Sequence, residues 1–304
     1  MLEQLFWSFV HRPYVTAFMV FFLALSWLEQ GWPRTVLWIA TSYLVALAAE
    51  WGSINHGIPF GVYVYHYEEL RNDLVILGVP FFDTLSFSFL SYVSFSFAQF
   101  FLSPLQVRGL DIQRVTPPAV RNSWAALLLG AFLMTVVDLI VDPIANLGKY
   151  WFLGDIYHYP EPGIHFGVTF ANYRGWFVVA ATTILINQRL DRWLTQREQE
   201  QGRFPELAYL PGLGLFAPCF WSGIVLFQLG VTWWVAYSGQ PGLDAARAQL
   251  QAVTGSYILA PILVLAAARA FTPAPRIAIP GQSESPASSP RNRIRDFDPS
   301  RPPR

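Results

Sequence analysis

Seven apolar segments make up most of this 304-residue chain and limit the folds that are open to it. They lie at residues 14–28, 35–50, 80–102, 123–144, 167–187, 212–236 and 255–270. Each approaches the ~20 residues that an α-helix needs to cross the hydrocarbon of a bilayer. We therefore predict an all-α, polytopic membrane helix bundle of about seven spans.

The composition agrees with a membrane protein. With 53% hydrophobic and 13% charged residues, and a mean hydropathy of +0.34, the chain cannot cover itself with an ordinary soluble surface. Its formal net charge of zero provides no overall field for nucleic acid, so no nucleic-acid partner is expected. Cys219 is the single cysteine, which excludes a disulfide within the chain.

The positions of the basic residues predict the orientation. With the N-terminus outside, fifteen of the 20 lysines and arginines fall on the cytoplasmic side. We expect a multi-pass protein of the cytoplasmic (inner) membrane, with its N-terminus out and its C-terminus in. Residues 1–271 form the predicted transmembrane helical domain. Residues 272–304, rich in Pro, Ser and Arg, are predicted to be a disordered cytoplasmic tail.

A stretch that occurs twice organises the middle of the chain, at residues 50–83 and 142–172. Glu50 precedes His66 by 16 residues, and Asp142 precedes His158 by the same interval. Each copy leaves one apolar segment, passes through an aromatic and glycine-rich connection, and enters the next segment at Gly-Val-[Pro/Thr]-Phe-x-[Asp/Asn]. An internal two-fold repeat in a membrane chain predicts two half-bundles with a site between them.

In the predicted topology, unusual polar residues converge on the non-cytoplasmic side. They are Glu50, Asp83, Asp138, Asp142, Asn172 and Arg174. The connections 51–79 and 146–166 lie on the same side and are expected to fold back into the mouth of the bundle. Simpler interpretations stay open, since aromatic residues and histidines near span ends are often interfacial and carboxylates there can reach the headgroups.

Asp138 and Asp142 are harder to explain as interfacial residues. Their i,i+4 spacing places both on one helix face, where two charged carboxylates repel, so one is expected to hold its proton. The pair is a candidate general acid. Pro143 is expected to end regular helix at Asp142. A metal site built from His66, His158 and the carboxylates is not favoured, because the histidines lack the short spacing of preformed sites, and no metal is predicted.

Four motifs together resemble a known family. They are Gly-Ile-Pro-Phe-Gly-Val-Tyr-Val-Tyr at 57–65, Leu-Gly-Val-Pro-Phe at 77–81, Asp142-Pro143, and His-Phe-Gly-Val-Thr-Phe-Ala-Asn-Tyr-Arg-Gly-Trp at 165–176. The chain is similar here to the integral-membrane carotenoid biosynthesis family that contains the carotenoid 1,2-hydratases, of the γ-carotene/lycopene and bisanhydrobacterioruberin types. The similarity runs from about the second segment to the seventh. Thr169 and Tyr173 depart from the family's usual Pro and Phe, which leaves the subtype open.

The resemblance implies a hydro-lyase that adds water across the terminal C1=C2 double bond of a ψ end group. Asp142 and Asp138 would form the acid pair and Glu50 would orient water, with Asp83 in support. Substrate contacts would come from His66, His158, Tyr65, Tyr157, Asn172, Arg174 and Trp176. No cofactor is needed, and the partners are a carotenoid, the lipid bilayer and, as an open alternative, other membrane enzymes of the pathway.

A second class of function is left open by the residues themselves. A non-catalytic carotenoid or lipid binder could use the same groove, and a proton-coupled transporter would also keep intramembrane carboxylates. The buried aspartate pair favours an enzyme over a pure hydrocarbon binder, which gains nothing from it.

Overall fold

The computed structural model describes residues 2–109, 111–152, 154–202 and 209–272. Within these ranges the chain is mainly helical. The α-helices are α1 (Leu2–His11), α2 (Pro13–His56), α3 (Phe81–Leu102), α4 (Pro118–Arg121), α5 (Trp124–Ala145), α6 (Phe170–Glu200), α7 (Phe216–Tyr237) and α8 (Ala245–Phe271). The prediction of an all-α bundle is confirmed.

Short strands lie only in the connections between the described helices. They are β1 (Val64–Tyr65), β2 (Val75–Ile76), β3 (Val79–Pro80), β4 (Leu105–Arg108), β5 (Asp111–Arg114) and β6 (Tyr157–His158). β2 pairs with β3 and β4 with β5 as local antiparallel pairs, whereas β1 pairs with β6 across almost a hundred residues. The two long connections of the predicted repeat are therefore hydrogen-bonded to each other.

The longest helix, α2, folds back on itself at Gly31. This residue has a φ of 77°, which glycine adopts without steric cost, and Pro33 follows within the same break. Ser26 Oγ lies 2.8 Å from Thr35 Oγ1, whereas nine residues of straight helix would separate them by about 13.5 Å. The arms of α2 before and after Gly31 are therefore antiparallel.

Helix α3 forms the centre of the bundle. It is buried over almost its whole length and packs against α2, α5 and α7. Small serine side chains let α2 approach closely, and polar contacts are satisfied between helices: Ser42 Oγ lies 2.8 Å from Ser88 Oγ, and Trp38 Nε1 donates to Ser91 Oγ at 3.1 Å.

The outer helices complete the bundle. α5 packs against α3 and α6, α6 packs against α2, and α7 packs against α8. Side-chain caps fix the starts of α5 and α6. Ser123 Oγ accepts from Ala126 N at 3.0 Å, and Thr169 Oγ1 accepts from Asn172 N at 3.2 Å.

Five described helices are long and apolar enough to cross a membrane: α2, α3, α5, α7 with its preceding turn, and α8. The count of seven spans stays a prediction. It requires that each arm of α2 crosses separately and that α6, whose last two turns are charged, crosses as well. The predicted tail lies almost entirely outside the described residues, which end at Thr272.

The expectation for Pro143 is wrong. Helix α5 continues through Asp142 and Pro143 to Ala145. Only the last turn follows the proline, so few intrahelical hydrogen bonds are lost, and Gln251 Nε2 of α8 donates to the Pro143 carbonyl at 3.0 Å. Asp142 is thus held on a regular helix rather than at a broken end.

Candidate functional site

A tyrosine joins two carboxyl groups from the first connection and its flanking helices. Glu50 lies in the last two turns of α2 and Asp83 in the first turn of α3, and Tyr65 of β1 reaches between them. Its hydroxyl donates to Asp83 Oδ2 at 2.5 Å and lies 3.3 Å from Glu50 Oε2. Burial raises the pKa of Tyr65 well above its ordinary value, with Asp83 and Glu50 adding to the effect, so this hydroxyl stays a neutral donor.

A second cluster occupies the matching position on α5 and α6. Asp142 accepts hydrogen bonds from the hydroxyls of Tyr157 and Tyr159, the latter at 2.6 Å. Asn172 Nδ2 lies 2.7 Å from Asp138 Oδ2 and 2.9 Å from Asp142 Oδ2, and so joins the two aspartates. Burial, followed by the neighbouring Asp142 charge, raises the pKa of both tyrosines.

The two clusters are held together by the ribbon formed by β1 and β6. Tyr65 pairs with Tyr157, and Val64 with His158, while His66 N donates to Ile156 O at 2.9 Å. Tyr65 and Tyr157 occupy equivalent positions of the predicted repeat, as do His66 and His158. The register is therefore that of a local two-fold axis between the two tyrosines, although the repeat as a whole stays a prediction.

His66 and His158 meet at the outer edge of this ribbon rather than in the carboxyl clusters. His66 Nε2 lies 2.6 Å from His158 Nδ1, and His66 Nδ1 lies 2.7 Å from the Asp155 carbonyl. Since a carbonyl can only accept, His66 Nδ1 carries a proton, and the two rings tie the connections together from the solvent side.

A cavity of about 130 Å³ lies between the carboxyl groups and the bundle interior. Asp83, Asp138 and Asp142 line it on one side. The remaining wall is largely aromatic and includes Tyr14, Phe18, Phe82, Phe89, Trp151, Tyr157 and Trp176. The arrangement places transferable protons and hydrogen-bond acceptors against a hydrocarbon-lined space.

Apart from His66 and His158, the predicted site residues divide into three groups in the structure. Glu50, Tyr65, Asp83, Asp138, Asp142, Tyr157 and Asn172 come together in the two clusters. Trp176 faces the cavity and stacks on Phe87 at a ring distance of 4.5 Å. Arg174 is exposed and has no contact with the carboxyl groups that would support the predicted role.

Two site residues were missed from the sequence. Tyr159 donates to Asp142, and it stands at the repeat position of Tyr67, so the Tyr-His-Tyr motif was a usable signal. Tyr14 lines the cavity from the first arm of α2, for which the repeat offers no counterpart.

The sequence did not favour a metal site, and the absence of a metal stays a prediction. In the part of the chain that the structure describes, no group of three or more His, Cys, Asp or Glu side chains is arranged to hold a metal ion. The donors that meet the carboxyl groups are tyrosine hydroxyls and a side-chain amide.

Comparison with known proteins identifies the family. No curated protein and no solved structure matches the chain. A family model described as carotenoid biosynthesis protein matches residues 11–239. The match begins before the first predicted span and ends after the sixth, so it is shifted towards the N-terminus from the similarity seen in the motifs. It contains both carboxyl clusters and most of the chain, and the protein therefore belongs to the carotenoid biosynthesis protein family.

Proposed function

We propose that the protein is a carotenoid hydratase that adds water across the terminal C1=C2 double bond of a ψ end group. The observation that carries the proposal is the placement of three carboxyl groups on the wall of an aromatic cavity buried at one end of a membrane bundle. Family membership supplies the class of substrate, and the site supplies the chemistry.

The reaction needs an acid, a base and a water molecule. The acid transfers a proton to C2 as the π electrons form the new C–H bond, which leaves a tertiary cation at C1. Water then attacks C1 and gives one proton to the base, so that atoms and charge balance. No electron acceptor or donor enters, and no cofactor is required.

Hydrogen bonding divides these roles within the aspartate pair. Asp142 faces three donors, from Tyr157, Tyr159 and Asn172, whereas Asp138 shares only the Asn172 amide. Several donors favour the ionised form of a carboxyl group, and repulsion then favours a proton on its neighbour. We assign Asp138 as the acid and Asp142 as the base that receives the water proton. This changes the role expected for Asp142 and leaves Glu50 as a supporting group behind Tyr65.

The same geometry returns the site to its starting state. Asp138 Oδ2 and Asp142 Oδ2 both lie within 3 Å of one amide nitrogen, so acid and base are neighbours. After one turnover Asp142 holds the proton that Asp138 has lost. Transfer between the two carboxyl groups, directly or through a water molecule, restores both without a route to bulk solvent.

The aromatic wall would stabilise the cationic intermediate. Rings attract a cation through their faces, with an energy of about 2 kcal/mol or more when water is excluded. Tyr157 and Trp176 both line the cavity, and we assign this contact to them. A positioned acid contributes about 10²–10⁴-fold to such a reaction, with the rest left to orientation and electrostatics.

The experiment uses membranes from cells expressing the protein, supplied with lycopene or γ-carotene in D2O. The wild-type protein should form a tertiary alcohol carrying deuterium at C2. Asp138→Asn should form no alcohol and incorporate no deuterium. Asp142→Asn should form little alcohol but still protonate C2 reversibly, so the recovered substrate should contain deuterium.

Asp244→Asn is the matched control, because Asp244 caps α8 through its contact with Arg247 N at 3.0 Å and Asn caps equally well. Hydration at the wild-type rate by both site variants would refute the proposal. Pigment that is bound but never hydrated, by any form of the protein, would instead favour a carotenoid binder.

A further inference from the structure

The cavity is far smaller than the substrate that the proposed function requires. Its volume of about 130 Å³ is similar to that of the ~150 Å³ protein cavities that bind benzene. Such a space holds the branched five-carbon end of a polyisoprenoid and little more. Most of a carotenoid chain must therefore leave the cavity and run somewhere else.

Packed elements line three sides of the cavity. The tyrosines of the β1 and β6 ribbon cover the end of the bundle, with the Tyr63 and Tyr65 rings 5.3 Å apart and the Tyr157 and Tyr159 rings 5.8 Å apart. α3 lies behind the cavity and is buried along its length. α5 closes the next side, where it packs closely on α3 and α6.

The remaining side lies between the first arm of α2 and α7, where aromatic rings meet. Phe18 of α2 lies 6.0 Å from Phe220 and 6.2 Å from Phe227 of α7, measured between ring centroids. Phe152 lies 5.2 Å from Tyr14 and 5.9 Å from Phe227. Tyr14 and Phe18 line the cavity, whereas Phe152 and Phe227 are 45% and 41% exposed on the outer surface of the bundle. We call Phe18, Phe152, Phe220 and Phe227 the aromatic portal.

The portal joins the cavity to a surface that suits hydrocarbon. Phe21 of α2, beside Phe220, is an exposed apolar side chain of this surface, at 63% exposure. In a membrane helix such a position faces lipid tails. The phenylalanine rings of the portal meet without a hydrogen bond. Such side chains can rotate apart at small cost compared with separating the hydrogen-bonded strands β1 and β6.

We infer that the aromatic portal is the site at which the polyene chain of the substrate passes from the bilayer to the cavity, so that the chain lies between α2 and α7 while its end group reaches the aspartates. This inference rests on the proposed function for the identity of the substrate. It adds that the substrate arrives sideways from the membrane, and that Phe152 and Phe227, which lie outside the cavity, contact the chain rather than the reacting end.

The test places a removable obstacle in the portal. Cys219 is replaced by Ser, and Phe227→Cys is then labelled with a bulky aromatic methanethiosulfonate, which a reducing agent removes. The control is Leu226→Cys in the same background, since Leu226 is the adjacent exposed residue of α7 and takes no part in the portal. Hydration of added lycopene and the amount of pigment that copurifies are both measured.

Labelling at position 227 should abolish hydration and pigment retention, and reduction should restore both, whereas labelling at 226 should change neither. Equal activity of the two labelled proteins would overturn the portal and leave the hydratase proposal intact. If no form hydrates lycopene, the proposed function fails, but pigment retention still decides whether the portal admits the chain. Loss that reduction does not reverse at 227 alone would count against the inference, because it indicates damage to the bundle.

Discussion

Asn172 offers the sharpest test of the proposed acid and base pair, because it touches both carboxyl groups and carries no charge itself. Its side-chain amide donates to Asp138 Oδ2 at 2.7 Å and to Asp142 Oδ2 at 2.9 Å, and the residue is 4% exposed. In Asn172→Ala both contacts are lost and the two aspartates face each other without a shared donor.

The magnitude follows from the loss of a hydrogen bond to a charged group. Such a bond contributes about 1.5–3 kcal/mol to the state in which it is made. If the amide orients Asp142 while it accepts the water proton, its removal should lower the hydration rate by about 10- to 150-fold, since about 1.4 kcal/mol corresponds to one factor of ten. The assay is the initial rate of tertiary alcohol formation in membranes, normalised to the amount of folded protein.

Asn187 is the matched control on the same helix. It is 6% exposed and lies near the middle of α6, and its amide donates to Thr41 Oγ1 at 2.8 Å and to the Thr183 carbonyl at 2.9 Å. Asn187→Ala should lower thermal stability but not the rate per folded molecule. Equal rate losses in the two variants, or none in Asn172→Ala, would refute the assigned role of the amide.

Three further predictions concern topology, packing and pH. A reporter fused after Arg304 should read cytoplasmic and one inserted near Asp155 should read non-cytoplasmic; the same side for both would contradict the span count. Gly175→Ala should reduce the free energy of unfolding by about 1–3 kcal/mol and so lower the melting temperature, because an added Cβ would lie 2.4 Å from the buried Phe60 ring. Gly230→Ala, with open space at that position, should leave the melting temperature unchanged. Burial lowers the pKa of His165, so the folded state favours its neutral form. The contribution of His165 to stability should therefore be fully present above about pH 6.5 and be lost as the pH drops below it. An equally steep fall in His165→Gln would show that another group is responsible.

The location of the site could be predicted because it rests on strong and simple signals. Carboxylates within apolar segments are rare, and the equal intervals from Glu50 to His66 and from Asp142 to His158 suggested that two connections meet at one place. The structure brings Glu50, Asp83, Asp138 and Asp142 to the same end of the bundle, and membership of the carotenoid biosynthesis family is confirmed.

What the sequence could not predict depends on contacts between distant residues. Nothing in the local pattern shows that Tyr65 pairs with Tyr157 or that Tyr159 donates to Asp142, since both contacts are set by how the two connections pack. The same applies to Asp138 and Asp142. Their spacing predicts a pair, but the hydrogen-bond donors on which the proposed roles rest come from other elements. The prediction that Pro143 would end regular helix at Asp142 was wrong because a proline in the last turn destabilises a helix little.

The ribbon of β1 and β6 has a consequence for the order in which the protein is made. Its strands are separated by 91 residues of chain, and three helices must leave the ribosome between them. During synthesis, Glu50, Tyr65 and Asp83 enter the membrane long before Asp138 and Asp142 exist. The first carboxyl cluster is therefore complete in sequence before its partner connection exists, and the β1–β6 pairing can form only after the second connection has been made.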